Sequence, residues 1–355
     1  MADPTLSADL AQPIRLTKTV SKGGCAAKIA AGTLKDLLSS LPRQQHENLL
    51  VGNDFLDDAA VWRINDDTLA VQTLDFFTPI LDDPYDFGAV AAANALSDVF
   101  AMGATPSTAL TILAYPLDTL PLEILQQLMA GATDTINQAG ALLVGGHSID
   151  DDTLKLGFSV SGFCKPEKLW ANRHARPGDV LILSKALGTG TLTGAVKNDE
   201  LRYSDIHEAI SSMKTLNHLD LPENLHRAVH AATDVTGFGV LGHALHVARG
   251  SEVSVALHSA KLPMLEHAQD TLSRGILTKA HSSNSRYVEA EVSGREQLSE
   301  VAWWSFVDPQ TSGGLLLSVA PEHAEAVLEH ILPRFPRASI VGEVLNKQHH
   351  ALVLD

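Results

Sequence analysis

Cysteine is nearly absent from this sequence: its 355 residues include two, Cys25 and Cys164. Two thiols build neither a disulfide framework nor a thiolate zinc cage, and such scarcity fits a reducing cytosol. Long apolar runs are missing too. None approaches the ~20 residues that a membrane-spanning helix requires. The opening residues, MADPTLSADLAQP, are acidic and have no apolar centre, so no signal peptide is expected. A soluble cytoplasmic chain is the expectation. Basic residues are in short supply as well, 26 Lys and Arg against 42 Asp and Glu, for a net charge of -16. A nucleic-acid binder would show a basic stripe, and none is present. The same balance argues against an anionic membrane surface. Any polyanionic ligand would have to be held through metal ions. The length suffices for two domains or one large one, with ample material for a core.

What is present is carboxylate where the local pattern would bury carbon. Asp57 and Asp58 interrupt LLVGNDFLDDAAVW, Asp75 interrupts LAVQTLDFFTPI, Asp98 lies in AVAAANALSDVFAMGA, and Asp234 follows the small residues of ATDVTGFGVLGHA. An ionised carboxylate in apolar surroundings is normally paired or bound to metal. Between Leu49 and Pro106 the only cation is Arg63. Carboxylates without cations suit hard ions such as Mg²⁺, which usually arrives with phosphates.

Each aspartate also has a plainer reading. Asp98 could cap a helix, but it falls inside the helical pattern, and Asn94 four residues earlier shares its face. Asp57 and Asp58 could form a turn, as the doublets at 66–67, 82–83 and 151–152 are expected to do. Asp234 could cap a helix starting near Gly239. The glycines of the GFG run would equally allow close backbone approach to a ligand. GGHS at 145–148 is expected to end an apolar strand, with N–H groups available to phosphate or ribose. The segment VLILSKALGTGTLTG spaces its glycines as G-x-G-x-x-x-G, which misses the dinucleotide fingerprint, and no P-loop occurs. It is expected to be a turn opening a helix. Cys25 stands in SKGGCAAKIA between Lys22 and Lys28, before an expected helix. Both neighbours and helix would favour thiolate; an inert surface thiol is the alternative.

The apolar periodicities predict a helix over 28–41, strands at 48–51, 59–65 and 68–73, and a helix over 86–102. A strand at 107–115, a helix over 121–139, and strands at 141–144 and 156–162 follow. A boundary is expected near 165–179, and a second α/β segment begins at 179–184. That segment ends with a long helix over 321–332 and a strand pair at 339–344 and 351–354. Strands and helices mix without strict βαβ alternation, which predicts an α+β fold. The expected division is a leader with the first helix over 1–48, an N-terminal domain over 49–168 and a C-terminal domain over 169–355.

Taken in order, GGCAAK at 23–28, LLVGNDFLDDAAV at 49–61, TLDFFTPI at 73–80, FGAVAAANALSDVFAMGA at 87–104, GGHSID at 145–150, TDVTGFGVLGH at 233–243 and DPQTSGGLL at 308–316 resemble the selenophosphate synthetases (selenide, water dikinases). The resemblance covers nearly the whole chain. It implies the two-domain α+β fold shared with aminoimidazole ribonucleotide synthetases and thiamine monophosphate kinases, with a mobile glycine-rich leader. It also implies a homodimer that converts ATP, selenide and water to selenophosphate, orthophosphate and AMP. Cys25 matches the catalytic Cys or selenocysteine, and Lys28 the phosphate-contacting lysine. Asp58, Asp98 and Asp234 match Mg²⁺ ligands, with Asp98 also beside the nucleotide, and Asp75 a nucleotide-site aspartate. Phe55, Leu56 and Asp57, with Gly146, His147 and Ser148, match ATP-contacting stretches. A monovalent cation such as K⁺ and a selenium-delivery protein are further candidates. A sister ATP-dependent enzyme yielding ADP, or a non-catalytic sensor, would be the alternatives.

The sequence departs from the family pattern in places. Ala27 stands where some relatives have a second cysteine, which excludes a Cys-x-Cys pair. Ala186 replaces a proline in the Lys185–Gly190 turn. Ser283 stands where an arginine is common, although Asn284 is kept.

Overall fold

The computed structural model describes residues 14–20, 23, 37, 45–52 and 56–355. The helix expected over 28–41 lies outside these residues except for Leu37, and so do Cys25, Lys28 and Phe55. Two sheets organise the rest. The first has six strands, β1 (Leu49–Val51), β2 (Ala60–Asn65), β3 (Thr68–Phe77), β4 (Thr105–Tyr115), β5 (Leu142–Asp150) and β6 (Lys155–Cys164), in the order β1-β2-β3-β6-β4-β5. All pairings are antiparallel except β4 with β5. Helices α1 (Pro84–Ala101) and α2 (Leu122–Gln138) belong to this half.

The second sheet has seven strands. In chain order its half contains β7 (Val180–Leu183), α3 (Thr189–Lys197), α4 (His207–Lys214), α5 (Glu223–Ala228), β8 (Val229–Asp234), α6 (Gly239–Ser251), β9 (Ser254–Leu257), α7 (Ala268–Ser273), α8 (Lys279–Val288), β10 (Val292–Ser293), α9 (Glu300–Val307), β11 (Leu315–Val319), α10 (Ala324–Ile331), β12 (Ser339–Leu345) and β13 (Leu352–Leu354). The strand order is β10-β13-β9-β12-β7-β11-β8. This is the α+β architecture that the mixed periodicity predicts.

Helix α1 decides where the site forms. Asp83 caps it by accepting from the Asp86 N–H, and Pro84 occupies the first turn, where no N–H is needed. Every residue from Phe87 to Ala101 is buried. Such a helix has no solvent face, so the polar side chains it carries must find partners inside the molecule. Its alanines permit close packing, and Gly88 lies so near α2 that a Cβ would meet the Leu128 carbonyl at 1.9 Å. One apolar core runs from Val61, Val71 and Phe158 of the first sheet through Leu96 of α1 to Leu192 and Met213 of the second half. Helix α1 is therefore shared by both halves.

Several expectations are corrected. β3 continues to Phe77, which puts Asp75 inside a strand. β5 continues to Asp150, so GGHS lies within an edge strand and does not end one. The Asp82–Asp83 doublet is structural: Asp82 accepts from the Thr17 N–H and hydroxyl and from Arg15, while Asp83 caps α1. The helix expected over 321–332 is a 3₁₀ turn followed by the eight residues of α10. The last two long strands do not pair with each other, because β9 lies between β12 and β13. Asp234 ends β8 and does not cap α6, whose N-cap is Phe238. The glycine-rich turn does open a helix, α3.

Candidate functional site

Two elements and one irregular segment converge on α1. Along β3 the alternation of side chains turns Thr73 and Asp75 toward the helix and Leu74 and Phe76 away from it. The Thr73 hydroxyl donates to Asp98 Oδ2, and Asn94 Nδ2 donates to Asp75 Oδ2 at 2.7 Å. From the second half, the end of β8 brings Thr233 and Asp234, both buried. The Thr233 hydroxyl donates to Asp58 Oδ1 at 2.9 Å, and the Asp234 main-chain N–H also donates to Asp58. Asp58, Asp75, Asp98 and Asp234 thus meet, although they are spread over about half of the chain.

The electrostatics follow from that crowding. Burial first, and then the charge of Asp234, hold the Asp58 and Asp98 carboxyls well above the usual carboxylate range. Asp75 and Asp58 add to the effect on Asp98. Like charges in a low-dielectric pocket cannot all ionise unless a cation enters with them. The residues fit such a cation. Asp58 is only partly buried as a residue, yet its Oδ2 is sealed from solvent and has no hydrogen-bond partner among the described residues. Clustered carboxylate oxygens are the donor set of Mg²⁺.

His243 has ligand-type atoms within 4.8 Å of those of Asp58 and Asp234. Its hydrogen bonds give it another task. The Thr236 main-chain N–H, which can only donate, points at Nε2 at 3.1 Å. The neutral ring therefore carries its proton on Nδ1, which faces the Thr233 hydroxyl at 3.4 Å. His243 backs Thr233, and Thr233 orients Asp58. Asn284 completes this support by donating to the carbonyls of Gly237 and Val307 at 2.9 and 3.0 Å, pinning the GFG loop.

Other expected residues lie elsewhere. Asp57 turns away from the cluster and accepts from the Asn172 N–H at 2.8 Å, with Arg173 3.9 Å from its other oxygen. The Leu56 carbonyl accepts from the Asn172 side chain, and Leu56 has a left-handed φ of 54°. Residues 56–57 are thereby fastened to the connection between the two halves. Gly146, His147 and Ser148 are exposed on β5, with β6 and β4 separating them from β3. Gly146 pairs with Thr111 so closely that a Cβ would meet the Thr111 carbonyl at 2.3 Å. Thr73, Thr233, His243 and Lys185 were not legible as site residues. A lysine between the apolar strand VLIL and a turn was the one local signal, and Lys185 is buried.

Residues before the leader glycines are clamped to the body. Asp82 holds Thr17, Lys18 pairs with Asp199 at 2.7 Å, and Lys197 donates to the Val20 carbonyl at 2.6 Å. Beside this strap a cavity of about 270 Å³ is lined by Gly23, Ile80, Thr193, Lys197 and Lys279, among others.

Two halves of this shape, joined over a shared helix with a carboxylate cluster, define a known class of protein. The sequence matches the family models "AIR synthase related protein, N-terminal domain" over residues 56–164 and "AIR synthase related protein, C-terminal domain" over residues 176–355. Solved structures agree in fold. A thiamine-monophosphate kinase from Stenotrophomonas maltophilia superposes with a TM-score of 0.64 at 20% identity, covering 93% of this chain and 96% of that one. A chain of a HypE–HypF complex gives 0.63 at 20% identity, covering 92% and 96%. Curated relatives named "Selenide, water dikinase" are 50% identical in Bdellovibrio bacteriovorus (96% of this chain, 98% of the relative) and 48% identical in Nitrosomonas eutropha (again 96% and 98%). The chain belongs to the selenide, water dikinase family.

Proposed function

We propose that this chain makes selenophosphate from ATP, selenide and water and releases AMP and orthophosphate, supplying activated selenium for selenocysteine or selenouridine. The observation that carries this reading is the meeting of buried Asp98 and Asp234 with partly buried Asp58, in a chain half of whose residues match a relative of that name. In this reading the three carboxylates hold Mg²⁺, and Asp75 and Asp98 border the nucleotide. Bound Mg²⁺ would neutralise the phosphate oxygens and the charge that develops during phosphoryl transfer. The chain's own task is positioning. Thr73 and Thr233 fix one oxygen each of Asp98 and Asp58, leaving the other oxygens to face a cation. Leu56, Asp57, Gly146, His147 and Ser148, with Phe55, form the further nucleotide-contacting stretches. In the same reading Cys25 is a nucleophile for selenium and Lys28 a positive charge for phosphate. A monovalent cation such as K⁺ would find the same acidic surroundings. A selenium-delivery protein would protect a substrate that oxidises readily.

The active form is a homodimer. Trp62 and Ile64 on β2, Leu74 and Phe76 on β3, Leu110 on β4 and Ile149 on β5 are exposed large apolar residues on the sheet face opposite α1, where His46 stacks on Trp62. An antiparallel-rich sheet tolerates one solvated face, but that face is then normally polar. A second copy of the same face is its natural cover. Among the described residues no helix is long and apolar enough to cross a membrane, and a cytoplasmic location follows from the reducing chemistry of selenide.

Anaerobic ³¹P NMR of the protein with ATP, Mg²⁺ and selenide tests the reaction. AMP, orthophosphate and a new selenium-bonded phosphorus signal are expected, and Cys25→Ser should lose the last. ADP as the final nucleotide would assign the chain to a sister reaction instead, and tight ATP binding without turnover would point to a sensor.

A further inference from the structure

Lys185 lies behind the aspartate cluster, at the turn after β7, and is 4% exposed. Its ammonium donates to the carbonyls of Thr215 at 2.6 Å and Ser312 at 3.0 Å. Removing an ammonium from water is costly, and two carbonyls offset only part of the loss. Burial accordingly pulls its pKa down to about 7, against the attraction of Asp234. A methionine would fill the same space without that cost, so the charge and its donors need another explanation.

Ser312 supplies it. This residue is 1% exposed and has a left-handed φ of 47°, a conformation that a side-chain-bearing residue keeps only when its surroundings enforce it. Its N–H donates to Asn94 Oδ1 at 2.9 Å. A main-chain N–H can only donate, so the Asn94 oxygen is committed to Ser312 and the Asn94 nitrogen to Asp75. The next carbonyl, that of Gly313, accepts from Asn217, which also donates to Ser97 on α1, both at 2.8 Å. The turn is thus tied to α1 twice, and its strained residue is held from below by Lys185.

We infer that Lys185 is a positioning residue for the nucleotide–metal site: its ammonium holds the Ser312 turn, Ser312 fixes the Asn94 amide, and that amide aims the Asp75 carboxylate. The inference rests on the proposed function only in taking Asp75 to face a metal-bound nucleotide. A brace with a purely structural role would contribute to folding and leave ligand binding alone.

The test is equilibrium binding of Mn²⁺ with ATP to the full chain, read by the EPR signal of free Mn²⁺ well below the unfolding temperature. Lys185→Met and Asn94→Ser should each weaken binding by about 10–100-fold, as loss of an outer partner of a metal site does. The double variant should be no weaker than the weaker single one, because both break the same chain. A Lys185→Met protein that unfolds at a lower temperature yet binds within twofold of wild type would overturn the inference, as would additive effects. Where Lys185→Met fails to fold, Lys185→Gln, whose neutral amide is one bond too short to hold both carbonyls, and Asn94→Ser decide: weakened binding in both supports the inference, and wild-type binding in either overturns it. Selenide plays no part here. A wild type that binds Mn²⁺ and ATP but forms no selenium–phosphorus bond would sink the proposed reaction and leave the role of Lys185 standing.

Discussion

Asp98 shows how one residue can cost stability and serve a site. Its carboxyl is buried on a helix with no solvent face, beside Asp75, Asp58 and Asp234. Burial and like charge raise its pKa, so the folded chain binds this proton more tightly than the unfolded chain does. The sign is then set: without metal, stability falls as pH rises through the carboxylate range and beyond. Asp98→Asn removes the titrating charge and keeps the shape. It should hold or raise the thermal midpoint of the metal-free protein at neutral pH, and lower Mg²⁺-dependent turnover by about a hundredfold or more. Calorimetry with a nucleotide-product assay measures both. Wild-type turnover in this variant would remove Asp98 from the metal site. The same crowding predicts that metal binding releases protons and tightens as pH rises.

Helix α6 carries a second titration, of the same origin and opposite sign. His246 packs against Phe238, His243 and Tyr287, with the Tyr287 hydroxyl 3.1 Å from its Nε2. Burial, and then the nearby Arg249, push its pKa from 6.5 down to about 4. A group that the fold keeps neutral contributes stability that is fully present above its unfolded pKa. That stability is lost as pH falls from 6.5 toward 4, to a limit of about 3 kcal/mol. Denaturant unfolding across that range should therefore slope downward on acidification, and His246→Phe should flatten the slope by about one proton. An unaltered slope would show that other groups dominate. The consequence reaches the site, because α6 also holds His243, which backs Thr233 and Asp58.

The whole molecule places its chemistry between two halves and its apolar face outside. Leu74 is 52% and Phe76 47% exposed on the strand that presents Asp75 to the opposite side. A charge on that face should separate the proposed dimer without entering the core. Leu74→Glu together with Leu110→Glu should convert a dimer to a monomer in sedimentation at micromolar concentration. A wild type that sediments as a monomer would refute the assembly.

The sequence by itself determined the α+β class and most of the strands, and it raised the expectation that these aspartates bind cations. Those conclusions rest on local quantities: alternation, helical spacing and the absence of Lys and Arg from residues 49–106 apart from Arg63. It also carried the family, through ordered motifs no single one of which was decisive. Only the tertiary structure decided which carboxylates share a site. Asp57 and Asp58 are adjacent in sequence, yet one turns to Asn172 and the other to Thr233. The same holds for Lys185 and Ser312, which meet across 127 residues, and for His243, whose partners lie across a loop. GGHS looked like a strand end because glycines usually stop strands, and pairing with β4 carried the strand through them. Periodicity reports which face of an element is buried. What that face meets is set by how two sheets close over α1, and no local pattern contains that.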